Sequence, residues 1–204
     1  MNDNGVFTHP FMYWVGMDTD PRTTPEALAD FNRFYDTTHV GEVIAAHPGF
    51  VSVSRYELAQ PDKGNAPRWL AAYEMADERA AEQYLKDNAR PWLHRQKYSP
   101  WPPARKRAKT VWRMLWRQIG ATGSPSVAPD SLMILGTNSL LDADSLGSAR
   151  VTQHELYRAF APPESEVPHF ITIHESATDA PKPGADAIWL LRYRRIPPPE
   201  DKPS

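Results

Sequence analysis

The sequence predicts an α+β protein made of two related β-α-β-β units, and three observations carry that reading. The first is a repeat. Sliding the 204-residue chain against itself by 120 residues brings Gly16 onto Gly136, Pro48 onto Pro168 and Phe50 onto Phe170. The same shift places Pro61, Gly64, Trp69, Leu70 and Tyr73 on Pro181, Gly184, Trp189, Leu190 and Tyr193. Internal similarity at a fixed period marks an ancient duplication. The second observation is alternation between the anchors, with Val51-Ser52-Val53 opposite Ile171-Thr172-Ile173. The third is punctuation by Pro and Gly, which separates each apolar run from the next.

In the first unit, Phe11–Asp18 is a short aromatic-rich strand that ends in a turn. Thr23 or Thr24 then caps a helix with Pro25 and Glu26 in its first turn, closed by Pro48-Gly49. Phe50–Leu58 and Trp69–Met75 read as two strands joined by a polar loop. Glu78–Arg90 is a second helix, stopped by Pro91, and Val111–Arg117 is a fourth strand. The order β-α-β-β-α-β is the ferredoxin-like arrangement, a sheet covered on one face by helices.

The second unit supplies strands at Leu132–Asn138, Phe170–Glu175 and Ile188–Arg195, a helix within Asp144–Phe160, and then stops at Pro197. The expected layout is thus repeat 1 over residues 10–118, a linker over 119–130, a truncated repeat 2 over 131–196 and a Pro-rich tail over 197–204. The bare faces of the two sheets are expected to pack together within the chain. Alternation directs Val51, Val53, Ile171 and Ile173 toward the helices, and Ser52, Ser54, Thr172 and His174 toward the opposing sheet.

Composition bounds the function. Hydrophobic residues at 41% and charged residues at 24% describe an ordinary globular chain. The absence of cysteine excludes disulfides, thiolate nucleophiles and cysteine-ligated metals, and fits a reducing cytoplasm. No apolar run approaches the roughly 20 residues of a membrane span, and residues 1–11 lack a secretory pattern. A cytoplasmic protein with no membrane partner is expected. Metal binding is not expected: His39 and His47 lie about 12 Å apart along a helix, and His169 and His174 point to opposite faces of a strand.

Phe31, Tyr35, His39 and Val43 recur every four residues and form one stripe on the first helix, facing the sheet. Imidazole donates and accepts protons near neutral pH, and a phenol one turn away can bond to it or to a substrate oxygen. Asp36 is spaced to orient the ring. The alternative is a structural histidine bonded to backbone or to Tyr35. The positions matching Tyr35 and His39 in the second unit are Glu155 and Ala159, so one site per chain is expected. Arg55 shares the helix-facing side of its strand and either clamps a substrate oxygen or ends the strand paired with Glu74 or solvent. Trp14 and Tyr73, from a large aromatic set, are candidates to line a pocket for a flat apolar ligand.

Residues 90–117 carry nine Lys/Arg and no acid, with Trp92, Tyr98, Trp101, Trp112 and Trp116 interleaved. Such a stretch can bind single-stranded nucleic acid by charge and stacking. It can equally be a cationic face or a funnel for anionic small substrates, and the formal net charge of −2 does not favour nucleic acid.

The segment Phe31-Asn-Arg-Phe-Tyr-Asp-Thr-Thr-His39, with His47-Pro-Gly-Phe50 and the strand ending Ser54-Arg55-Tyr56, resembles the dimeric α+β barrel superfamily, especially its EthD-like members. The resemblance covers residues 10–116. It implies a small-molecule partner and leaves a homodimer open. It also implies one of several chemistries, since relatives include cofactor-free monooxygenases, cyclases and dehydratases, lactone isomerases and haem-handling proteins. With no nucleotide loop, metal cluster or nucleophile in the sequence, a cofactor-independent lyase or isomerase acting by proton transfer is the leading expectation. His39 and Tyr35 would be its catalytic pair, and Phe31, Arg55, Val43, Trp14 and Tyr73 its substrate contacts. The alternatives are a monooxygenase, a haem protein ligated by His39 or His94, and a non-catalytic binding module.

Overall fold

The computed structural model describes residues 8–89, 98–122, 129–142, 150–175 and 186–197. In chain order its elements are β1 (Phe11–Thr19), α1 (Pro25–Phe34), a π-helical turn (Tyr35–His39), α2 (Val40–Ala46), β2 (Phe50–Lys63), β3 (Trp69–Met75), α3 (Glu78–Asn88), a 3-10 turn (Pro103–Arg107) and β4 (Ala108–Thr122). The second half contributes β5 (Ser131–Thr137), β6 (Val151–Ala161), β7 (Phe170–His174) and β8 (Trp189–Arg195). His94, Trp92, residues 123–128 of the expected 119–130 linker and the tail from residue 198 lie outside the described residues.

The eight strands form one closed barrel in the order β1-β3-β2-β8-β5-β7-β6-β4. Every pairing is antiparallel. The barrel-type assembly that the resemblance implies is present, but its two halves are joined into one sheet along both seams rather than merely stacked face to face. The long strands β2 and β4 run past the first sheet and pair with β8 and β6, so both seams are hydrogen-bonded. Closure leaves no described strand with a bare edge on which a second chain could add.

The first half has the order β4-β1-β3-β2 that a ferredoxin-like unit requires. The second half does not repeat it. Val151–Ala161, expected to be helical, is strand β6, and β5 sits between β8 and β7 where a repeat would place β8 between β5 and β7. Its opening Val151 and Thr152 suit a strand, and two partners, β4 and β7, supply a ladder on each side that overrides local helix preference.

Register differs as well. Gly16 lies opposite Leu70, but Gly136 lies opposite Trp189 rather than Leu190. A slip of one residue exchanges the two faces of a strand. Trp69 therefore packs outside the barrel on Phe31, whereas Trp189 points inside and stacks on Trp112 at 4.5 Å. For the same reason Ile171 and Ile173 are interior residues, and Thr172 and His174 lie on the outer face, the reverse of expectation. In the first half Val53 meets the helix layer as expected, Ser52 turns inward onto Glu74, and Val51 is exposed.

The barrel interior is filled. Trp14, Trp112, Trp116, Trp189, Tyr56 and Tyr193, with aliphatic residues from the remaining strands, form one apolar cluster. A second cluster lies between the outer face of β1 and β3 and the helices. Thr24 caps α1 by accepting from the Ala27 amide at 3.3 Å, and Asp77 caps α3 through Ala80 at 2.8 Å. These caps fix where both helices begin over the sheet.

Candidate active site between the first helix and the barrel

The expected stripe is present, but the helix carrying it is not uniform. At Tyr35–His39 it widens into a π turn, in which the Val40 amide donates to the Tyr35 carbonyl. The Thr37 hydroxyl bonds the Arg33 carbonyl at 2.8 Å, a side-chain competitor of the kind that bends helices. Single π turns inside α-helices concentrate at functional sites. Here the turn begins with Tyr35 and ends with His39.

Both residues line a cavity of about 170 Å³ on the outer face of the barrel. Val43 and Tyr73 line it too, as expected, and Phe31 packs behind it on Tyr35 and Trp69. The hydroxyl oxygens of Tyr35 and Tyr73 are 3.4 Å apart. The Tyr35 and His39 rings meet edge to face at 5.0 Å between centroids.

Two expected contacts are corrected. Trp14 is wholly buried inside the barrel, since even positions of β1 face inward, and it cannot touch this cavity. Arg55 reaches the helix layer but does not line the cavity. Its guanidinium donates to Asp36 at 2.6 Å and to Asn32 at 2.8 Å and lies over the far side of the Tyr35 ring. Asp36, expected to orient His39, is engaged with Arg55 instead. Neither Arg55 nor Glu74 pairs with the other: Glu74 accepts from His9, Thr8 and Ser52 at one end of the barrel.

Burial sets the ionisation of the site. Desolvation pulls His39 down to about 4, aided by the positive charge of Arg105 and Arg55, while Glu42 opposes the shift. The imidazole is neutral at ordinary pH, and its Nδ1 is buried without a hydrogen-bond partner. Burial likewise raises the Tyr35 and Tyr73 phenols, which remain protonated donors.

Several site residues come from segments that sequence reasoning assigned elsewhere. Trp101 lines the cavity, its ring 4.3 Å from that of His39 and 5.6 Å from Phe31. Tyr98 bonds His47 Nε2 at 3.1 Å, and Arg105 follows on the 3-10 turn. The basic aromatic stretch thus forms part of the cavity wall. Trp112 and Trp116 point into the barrel, so no tryptophan on the described part of this stretch offers a free face for stacking a base. The mixture of aromatics with cations was the available signal, but only folding shows that the aromatic faces turn inward.

The fold is a single closed barrel of antiparallel strands with helices packed on its outer face. It is similar to solved structures of chlorite dismutase from Candidatus Nitrospira defluvii. One variant is 11% identical, covers 96% of each chain and has a TM-score of 0.50. A second, in complex with cyanide, is 10% identical over 94% of this chain and 93% of that one, with a TM-score of 0.49. No family model and no curated protein matches the sequence. At such identity the likeness is one of fold.

Haem, one of the ligands that the sequence resemblance implies, does not fit the His39 cavity. Pockets for drug-sized ligands begin at about 300 Å³, and the volume here is about 170 Å³. Among the described residues there is no cluster of three metal-ligating side chains, and no helix is long and apolar enough to cross a membrane.

Proposed function

We propose that this chain is a cofactor-independent enzyme that moves a proton on a small, single-ring, oxygenated substrate held in the His39 cavity. The observation that supports it is the π turn delivering a neutral imidazole and a neutral phenol into one aromatic cavity. The volume suits the substrate class, since an engineered cavity of about 150 Å³ holds benzene.

In this reading His39 takes the proton from a carbon beside a carbonyl, the C–H electron pair moves into the carbonyl, and Tyr35 donates to the oxygen that gains charge. The imidazolium so formed then returns its proton to the same substrate. That suits isomerisation or dehydration, in which the proton moves between atoms of one substrate. Phenylacetone is a suitable probe, because exchange of its acidic CH₂ hydrogens in D₂O is read directly by NMR. Exchange is expected to be accelerated by the protein and slowed roughly 10²–10⁴-fold by His39→Ala. Exchange no faster than in buffer, with the probe bound, turns the reading to a binding module.

A second reading is a haem protein, favoured by the fold shared with chlorite dismutase structures. His174 supports it better than His39. It lies fully buried on the outer face opposite Met133, burial lowers its pKa, and neither ring nitrogen has a hydrogen-bond partner. Added haemin giving a Soret band that shifts in His174→Ala or His94→Ala, but not in His39→Ala, would replace the first reading with this one.

A further inference from the structure

The wall of the His39 cavity carries positive charge that nothing in the wall neutralises. Arg105 lines the cavity and spends its guanidinium on neutral acceptors, the Ala108 carbonyl at 2.6 Å and Thr110 Oγ1 at 3.4 Å. It also lies over Trp101, the ring against which His39 rests. Arg113 stands behind the opposite wall. Its Nε donates to the Tyr13 hydroxyl at 2.8 Å, and its Nη2 to the Tyr84 hydroxyl at 3.3 Å and to Asn88 Oδ1. Among the described residues neither arginine is paired with a carboxylate.

Neither nearby acid lines the cavity. Asp36 holds Arg55, and Glu42 accepts from the Ser99 amide and hydroxyl while its charge acts on His39 from outside the wall. A guanidinium has only donors, so the oxygens of Tyr13 and Tyr84 are acceptors toward Arg113 and each phenol must direct its own hydrogen elsewhere. Both phenols line the cavity. Partly buried cations without a counter-ion are costly, and a bound anion removes that cost through charge-assisted hydrogen bonds.

We infer that the substrate of this cavity is an anion, a single aromatic ring bearing a carboxylate, with the ring among Tyr35, Tyr73 and Trp101 and the carboxylate turned to Arg105. The inference rests on the reading of the cavity as a substrate site, and it adds the charge of the substrate to that reading. Tyr13 and Tyr84 are hydrogen-bonded to each other, so this Arg113-backed pair has one phenol hydrogen left for the same anion.

Calorimetric titration of the full chain with benzoate, benzyl alcohol and benzylamine separates the two ideas. Benzoate is expected to bind at least about tenfold more tightly than benzyl alcohol, and benzylamine not to bind; one charge-assisted bond is worth about that factor. Arg105→Gln should remove the preference for benzoate over benzyl alcohol, and Arg105→Lys should retain most of it. Equal or tighter binding of benzyl alcohol, abolished by His39→Trp filling the cavity, would overturn the anion while the cavity stands as a site. Binding of none of the three would overturn both. Should Arg105→Gln fail to fold, the order of the three ligands on the unaltered chain still decides.

Discussion

The guanidinium of Arg55 lies 4.3 Å from the centroid of the Tyr35 ring while bonding Asp36 and Asn32, so one side chain of β2 ties the π turn and the end of α1 to the barrel. Arg55 is 6% exposed. Arg55→Ala should therefore cost about 2–4 kcal/mol, because it strands Asp36 beside an apolar layer. Urea unfolding checks the magnitude. Arg55→Lys keeps the charge but loses the planar fork, and should recover less than half of the loss.

The state of His39 predicts an acid limit. Its pKa falls from 6.5 to about 4 on folding, so protons bind the unfolded chain more strongly. Stability from this group is complete above pH 6.5, declines as the pH falls toward 4, and levels off below, a loss of about 3 kcal/mol at most. His154, lowered to about 3 by burial, works in the same direction. Imidazole NMR resonances should show His39 still neutral at pH 5, and a titration midpoint near 6.5 would refute the buried setting.

Gly49 has φ +96° in the turn between α2 and β2, and a Cβ built there would meet the Ala80 Cβ at 2.3 Å. Gly49→Ala should destabilise by about 2–3 kcal/mol from backbone strain and overpacking together. A thermal melt would register it as a clear fall in Tm. No change in Tm would mean that α3 can shift away from the turn.

Trp14 separates the barrel interior from the site. Trp14→Ala should cost about 3–5 kcal/mol, as large core truncations do, while Trp14→Phe should leave ligand affinity of the folded protein unaltered. A calorimetric titration of Trp14→Phe with benzoate tests this. A changed affinity would mean that the filled interior and the outer cavity are coupled.

Much of the first half was legible from residues. The capped start of α1, the Pro48-Gly49 stop and the stripe from Phe31 to Val43 are local patterns, and each depends on neighbours within a few turns. What was not legible depended on partners distant in sequence. Arg55 was visible as a helix-facing cation, but its engagement with Asp36 required knowing how α1 sits over β2. Trp101 and Arg105 were visible as part of a basic aromatic run, and only the fold-back of that run onto the π turn makes them cavity walls.

By itself the sequence determined the α+β class, the strands of the first unit and the face of the first helix that turns inward, because alternation and helical period are properties of adjacent residues. The tertiary structure alone decided that Val151–Ala161 is a strand, that β2 with β8 and β4 with β6 form the seams of the barrel, and that Trp69 and Trp189 face opposite sides of it. Those outcomes follow from strand pairing. A ladder on both sides of β6 outweighs its local preference, and a one-residue slip in register turns the pattern of a whole strand inside out.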